Sequence, residues 1–406
     1  MKILILTQYY PPETGAPQNR LSGLAIQLQK NGVDVAVLTA MPNYPAMKIH
    51  NSYKGKFFVK ENVNSIGVFR SWIYASRERT ILKRLLNYFS FVITSFIVSF
   101  RISGKFDFVF CESPPLFLGI SGWLISKFKR ARFIFNVSDL WPESAEKLGI
   151  INNRFFLGIA SSLERFLYRS SFLVTGQTQG IVHNISSRFP QKKVHWLPNG
   201  IDEEQFVNMD YDSVRGELGF SGNNFIVVYA GIIGHAQGLE VILNAARHLI
   251  GYEDIRFLLV GDGPEKENLE ELKTAGGLKN VVFHDGVSKD KILNIIYSCN
   301  ASVIPLKKLA LFKGAIPSKI FECLALQKPI LLGVDGEAKE LFIDEAKAGI
   351  YFEPEDANQL ANGILTLANS PEQCRKLGSN GREYVLDKFV RRKITADFLN
   401  QLRANK

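Results

Sequence analysis

The chain has 406 residues, a length that predicts roughly two to three domains rather than one core, and its 46% hydrophobic and 22% charged residues exclude a disordered polyelectrolyte. The net charge of +10 is unevenly held: residues 1–200 carry 25 Lys/Arg against 10 Asp/Glu, while the remaining 206 carry 24 against 29. A basic first half directs attention to an anionic surface or substrate, and four cysteines, Cys111, Cys299, Cys323 and Cys374, without CxxC or metal spacing exclude a disulfide framework and suit a reducing compartment.

The opening MKILILTQYY has a basic residue and an apolar run but no small-residue cleavage site, so it reads as a first buried strand, Ile3–Leu6, and not as a signal peptide. The loop YYPPETGAPQNR follows, then a helix over Leu21–Gln29 with apolar residues at 21, 24, 25 and 28, a stop at Asn31-Gly32, and a strand over Val33–Leu38. Apolar spacing near 3.6 between two short apolar runs is the pattern of a βαβ unit, which requires a parallel sheet. Phe106–Cys111, Arg132–Val137 and Phe172–Thr175 extend that sheet, and residues 1–198 are expected to form one Rossmann-like domain.

The segment 77–105 departs from soluble patterning. Its core, Leu85–Phe100, is almost wholly apolar or aromatic and is flanked by Arg77, Arg79, Lys83, Arg84, Arg101 and Lys105. At 16 residues it is shorter than the roughly 20 needed to span a bilayer. A helix lying at a membrane surface and a buried domain helix with solvated ends both fit; the nearby Trp123, Lys127, Lys129, Arg130 and Arg132 favour the former.

HWLPNGID, residues 195–202, reads as a turn and hinge. Beyond it the alternation restarts with strands Phe225–Tyr229, Phe257–Val260, Val281–Phe283 and Ala301–Pro305, separated by helices Leu239–Leu249, Asn268–Ala275 and Lys289–Tyr297. Residues 199–389 are expected to form a second doubly wound domain, and residues 390–406 a helix crossing back to the first. The fold class is therefore α/β, with two Rossmann-like domains facing a central cleft.

Loops at the carboxyl ends of parallel strands are where ligands bind. Four stand out: Glu13-Thr14-Gly15-Ala16; Gly231–Gly238, containing Gly234 and the neutral donor Gln237; Ser138-Asp139-Leu140-Trp141-Pro142-Glu143; and Gly314–Gly333, GAIPSKIFECLALQKPILLG. In the last, Pro317 opens a short helix whose first amides, on Ser318, Lys319 and Ile320, suit a diphosphate, and Glu322 can accept hydrogen bonds from a ribose diol. Asp139 can orient an acceptor hydroxyl or take its proton; it can equally cap the helix after Pro142, with Glu143 as a first-turn acid. The lone Gly261-Asp262-Gly263 lacks a third glycine and reads as a turn. No P-loop, HExxH or GxSxG occurs, and the six histidines show no metal-ligand spacing, so no metal and no cofactor are expected.

Taken together, QYYPPETGAPQNR, MPNYP at Met41–Pro45, SDLWPES, LPNGID, AGIIGHAQGLE and PSKIFECLALQKPI resemble glycosyltransferase family 4, retaining enzymes of the GT-B architecture. The likeness is strongest to bacterial O-antigen and capsule enzymes of the N-acetyl-L-fucosamine transferase group. The resemblance implies that Glu322 holds the donor ribose, that the 318–320 amides hold the diphosphate, that main chain at Gly286 and Val287 meets the base, and that the Gly15 loop closes over the phosphates. Asp139 falls where many relatives carry a catalytic-site His. Two departures matter: an acid eight residues before Glu322 is replaced by Gly314, and the Arg and Lys usual after the second domain's first strand correspond to Ile232 and Gln237. Lys319 is then the foremost cation for the leaving diphosphate, ahead of Lys313 and Arg20. The expected reaction moves a sugar from a UDP-sugar co-substrate to a polyprenyl-diphosphate-linked saccharide, without metal, at the inner face of the cytoplasmic membrane. A non-catalytic nucleotide-sugar sensor on the membrane is the alternative; a nucleic-acid partner lacks any motif.

Overall fold

In the computed structural model the apolar runs of the first half pair into one eight-stranded sheet, made of β1 (Lys2–Leu6), β2 (Asp34–Ala40), β3 (Phe58–Val63), β4 (Ile66–Ser71), β5 (Phe108–Ser113), β6 (Arg132–Val137), β7 (Leu173–Gly176) and β8 (Val194–Trp196). Their order is β3-β4-β2-β1-β5-β6-β7-β8, with every pairing parallel except β3–β4. The described residues are all but 14, 45–46, 79, 148–152, 207–211 and 405–406; Thr14, Pro45 and Arg79, named above, lie outside them. The chain divides into two units, Met1–Asn199 with Arg391–Lys406, and Gly200–Val390.

Strand side chains alternate between faces, and both faces of this sheet are buried. Ile3 and Ile5 join Leu21, Leu24, Leu28, Phe398 and Leu402 from the helices Ala16–Lys30 and Arg391–Ala404. Leu4 and Leu6 join Phe91, Val98, Leu118, Ile125 and Leu167 from the helices Ile81–Ser99, Leu118–Lys129 and Arg154–Ser170. One expectation is corrected, and one element was not foreseen. The first helix starts at Ala16, five residues earlier than its apolar spacing indicates, because Pro17 fits the first turn, where an N–H has no intrahelical partner. The β3–β4 hairpin escaped sequence reading: its turn places Asn64 and Ser65 at φ 51° and 64°, a conformation usually signalled by glycine.

The second unit holds β9 (Phe225–Ala230), β10 (Ile255–Val260), β11 (Val281–His284), β12 (Ala301–Pro305), β13 (Ile330–Gly333) and β14 (Gly349–Tyr351). They run in the order β11-β10-β9-β12-β13-β14, parallel throughout. Chain direction across the sheet reverses between β9 and β12, and the crevice outside the carboxyl ends of that strand pair is where such sheets bind ligands. Gly261 and Gly263 explain how the loops there stack so closely. A Cβ on Gly261, at φ 150°, would lie 1.9 Å from the Gly231 carbonyl oxygen, and one on Gly263 would lie 2.1 Å from that of Ile233. These glycines serve backbone packing, as the missing third glycine suggests.

Candidate active site

In the second unit the loop after β9 and the segment after β12 meet. Gly238 turns the chain at φ 58°, Lys307 N–H donates to the Ala236 carbonyl at 3.0 Å, and the 3-10 turn His235–Gln237 places the Gln237 side chain against Gly234. The short helix Lys319–Ala325 begins after Pro317, with Ser318 at its N-cap position. Ile320 N–H is donated to the Pro317 carbonyl at 3.1 Å. That corrects the expectation of three free amides: the turn itself consumes the third, and those of Ser318 and Lys319 make no backbone hydrogen bond among the described residues.

The side chain that joins these pieces is Lys319. Its ammonium lies 3.8 Å from the centre of the Tyr229 ring and packs on Gly231, where a Cβ would come within 2.8 Å of Nζ. Tyr229 is fixed from below, its hydroxyl donating to the Ile232 carbonyl at 2.6 Å. Lys319 pairs with no carboxylate among the described residues, and a cation over a ring face is held without being neutralised. Burial lowers its pKa to about 8, against the opposing influence of Cys323 and Glu322. So the cation missing from positions 232 and 237 reaches the same loop from the neighbouring helix.

One turn further, half-buried Glu322 accepts an ion pair from Lys289 at the start of the helix Lys289–Ser298. Sequence reading placed this helix but gave Lys289 no role; nothing in the spacing of residues 33 apart indicates the pair. Gly286, exposed beside half-buried Val287, donates its N–H to Asp262 at 3.0 Å, and Lys266 bridges Asp262 and Asp285. Lys313, the weaker cation candidate, is an exposed partner of Asp335 at 3.3 Å.

The carboxyl edge of the first sheet is arranged differently. Glu13 is buried and accepts N–H bonds from Asn43 and Tyr44, both at 2.8 Å, and from Tyr10 at 3.3 Å; burial raises its pKa while those amides oppose the rise. This tie holds the loop leading to Gly15 and Ala16, where the first helix starts. Arg20, 5% exposed, donates from Nη2 to Glu112 and to Ser138 Oγ at 2.8 Å, while its buried Nη1 has no partner among the described residues; with its charge paired to Glu112 it stays behind Lys319 among the cation candidates. Asn136 donates to the other oxygen of Glu112 at 2.6 Å and accepts from Thr175 at 2.6 Å. A carboxylate and an amide at the ends of apolar strands, in FVFCES and RFIFNV, are the signal that could have revealed this network.

Next to Ser138, half-buried Asp139 accepts from the Ser144 hydroxyl. Its pKa is raised, first by burial and then by Glu143, with the Ser144 and Leu140 hydrogen bonds opposing. A raised carboxyl pKa suits proton exchange with a hydroxyl. Glu143 itself is 41% exposed in an i,i+4 pair with Lys147 at 2.6 Å, the arrangement of a solvated first-turn acid. A recess of about 180 Å³ beside it is lined by Glu143, Glu146, Glu164 and Arg188 among others. Among the described residues no group of three His, Cys, Asp or Glu is placed to hold a metal ion.

Comparison with known proteins gives the class of the chain. Residues 15–200 match the family described as "Glycosyl transferase 4-like domain", and residues 210–384 match "Glycosyl transferases group 1". The chain is a glycosyltransferase of the GT-B fold, built from two Rossmann-like α/β units and related to the family 4-like enzymes. It is similar to the putative colanic acid biosynthesis glycosyl transferase WcaI of Escherichia coli K12, 26% identical over 99% of this chain and 100% of that one. Among solved structures, sucrose-phosphate synthase of Thermosynechococcus elongatus superposes with a TM-score of 0.77 at 18% identity over the full length of both chains. HepE of Anabaena, crystallised with UDP and glucose, does so with a TM-score of 0.73 at 18% identity, again over both full lengths.

Proposed function

We propose that this glycosyltransferase moves a sugar from a UDP-sugar to a polyprenyl-diphosphate-linked saccharide in O-antigen or capsule assembly, with retention and without a metal ion, at the inner face of the cytoplasmic membrane. The observation that carries the donor half is the Lys319 ammonium, held over Tyr229 and against Gly231 with no carboxylate partner, at the sheet's switch point. A half-desolvated cation there stabilises negative charge as it develops on the departing diphosphate, without reorganising. The amides of Ser318 and Lys319 add to it, main chain at Gly286 and Val287 takes the base, and Glu322 takes the ribose diol while sharing its charge with Lys289.

In the reaction the bond from the anomeric carbon to the diphosphate oxygen breaks and the acceptor oxygen bonds to the same face of that carbon. Asp139 takes or orients the acceptor's proton. HepE supports UDP as the nucleotide, since it is crystallised with UDP and glucose, and WcaI, named for colanic acid biosynthesis, supports a biosynthetic role of this kind. N-acetyl-L-fucosamine as the sugar rests on the sequence motifs. Titration calorimetry with UDP tests the reading: the native chain is expected to bind, and Lys319→Met to bind roughly tenfold to a hundredfold more weakly, the worth of a charge-assisted hydrogen bond. Equal heats for the two proteins would remove the site from this position.

A further inference from the structure

Three of the helices on one face of the first sheet lie side by side, and two of them turn apolar side chains outward as well as inward. On Ile81–Ser99 the inner face buries Phe91, Val92 and Val98, whereas Leu82, Leu86, Phe89, Ile93 and Ile97 are exposed, by 39% to 65%. Their spacing of four, three, four and four residues forms a single stripe, continued by Phe100 just past the helix end. A helix on a soluble surface carries polar residues along such a stripe. Arg154–Ser170 repeats the arrangement: Leu157, Ala160 and Leu167 face inward, while Phe155, Phe156, Ile159 and Phe166 are exposed, Phe155 by 72%. The helix between them joins the two stripes. Phe128 packs edge-on against Phe100 at 4.4 Å, and Trp123 packs edge-on against Phe166 at 5.1 Å.

The exposed charges on the three helices themselves have one sign; the nearest acids that reach solvent, Glu78, Glu143 and Glu146, lie outside them. Residues 81–105 and 118–130 contain no Asp or Glu, and the one acid of Arg154–Ser170, Glu164, is buried and paired with Arg188. Arg84, Arg101, Lys127, Arg154, Arg165 and Arg169 are exposed. No helix among the described residues is long and apolar enough to cross a membrane.

We infer that these three helices form one docking surface for an anionic lipid bilayer, which the protein rests on with its outer aromatic stripes in the headgroup region and its arginines and lysines among the lipid phosphates. Apolar and aromatic rows bordered by cations are what an interfacial helix requires, and long basic side chains reach the phosphates while their stems stay in the apolar layer. A second copy of the chain is a poor occupant, because a self-paired face would bring cations against cations. This deepens the membrane element of the proposed function. It extends the surface from the segment 77–105 to Phe155 and Phe156, which stand 50 residues beyond it in the short run FFLGIA.

The test is sedimentation of the full chain with phosphatidylcholine vesicles, with and without phosphatidylglycerol, alongside UDP calorimetry on the same preparations. The native protein is expected to sediment only with the anionic vesicles and to be released by high salt. Phe155→Ser/Phe156→Ser, at positions too exposed to affect folding, is expected to lower partitioning about tenfold, as is Arg154→Glu/Arg165→Glu; Ile250→Ser, an exposed apolar residue of the second unit, should leave it unchanged. A native chain that stays in solution with anionic vesicles, that binds neutral and anionic vesicles alike, or whose binding survives both double substitutions overturns the inference. Self-association abolished by Phe155→Ser/Phe156→Ser also overturns it, in favour of a second copy. Loss of UDP binding with vesicle binding intact would instead count against the transferase reading alone.

Discussion

The carboxyl edges of the two sheets solve opposite electrostatic problems. In the first unit Arg20, Glu112, Asn136, Ser138 and Thr175 bond to one another in the interior, with Nη1 of Arg20 left over, so the charges of Arg20 and Glu112 are paired beneath Asp139. In the second, glycines let backbones approach and Lys319 is left unmatched over an aromatic ring. Closed networks fix the geometry of a neighbour. Unmatched, half-desolvated cations wait for an anion. The same parallel-sheet frame thus yields a positioning edge in one unit and a charge-receiving edge in the other.

The comparison can be broken most forcefully at Glu112. Glu112→Ala leaves Arg20 buried opposite nothing, and removing one partner of a buried pair costs about 3–5 kcal/mol, to be seen as an earlier urea midpoint for the first unit. Glu112→Gln, which keeps the shape and a hydrogen bond, should cost less. If Glu112→Ala unfolds like the native chain, the network is not the brace described.

Asp139→Asn separates positioning from binding. Sugar transfer is expected to fall about 10²–10⁴-fold, the usual contribution of a positioned acid or base, with UDP affinity unchanged by calorimetry. Undiminished transfer would return Asp139 to a merely local role with Ser144.

A pH series sharpens the other edge. Lys319 has a folded pKa of about 8, below its ordinary value of 10.5, so it is charged at neutral pH and loses its proton as pH rises through about 8. Only the charged form attracts a diphosphate, so UDP affinity should decline above that pH, and Lys319→Met should flatten the decline. Without nucleotide the sign for stability is the reverse: the desolvation penalty is present in full below about 8 and is relieved as pH rises from 8 toward 10.5, because the folded state releases the proton first. The smallest effect is expected at Lys289, where Lys289→Ala frees Glu322 of its cation and should shift UDP affinity by less than about tenfold. A larger loss than for Lys319→Met would move the principal cation to Lys289.

Much of this molecule is written in local pattern. Strand and helix periods located both sheets, because a parallel strand is buried on two faces and reads as an unbroken apolar run. Pro317 and Glu322 were visible because a helix start has its own residue grammar. The β3–β4 hairpin was hidden because Asn64 and Ser65 adopt positive φ without a glycine to announce it.

Sequence alone determined the α/β class, the loops at the strand ends and an apolar segment too short to span a membrane. Tertiary structure decided which charges remain available: Arg20 is paired with Glu112, Glu322 is shared with Lys289, and Lys319 reaches the loop after β9 with no carboxylate partner among the described residues. It also decided that Phe155 and Phe166 share a surface with Phe100 and Phe128. The reason is that a charge or an apolar face acquires its meaning from what lies within a few ångströms of it, and for these residues those neighbours come from distant parts of the chain.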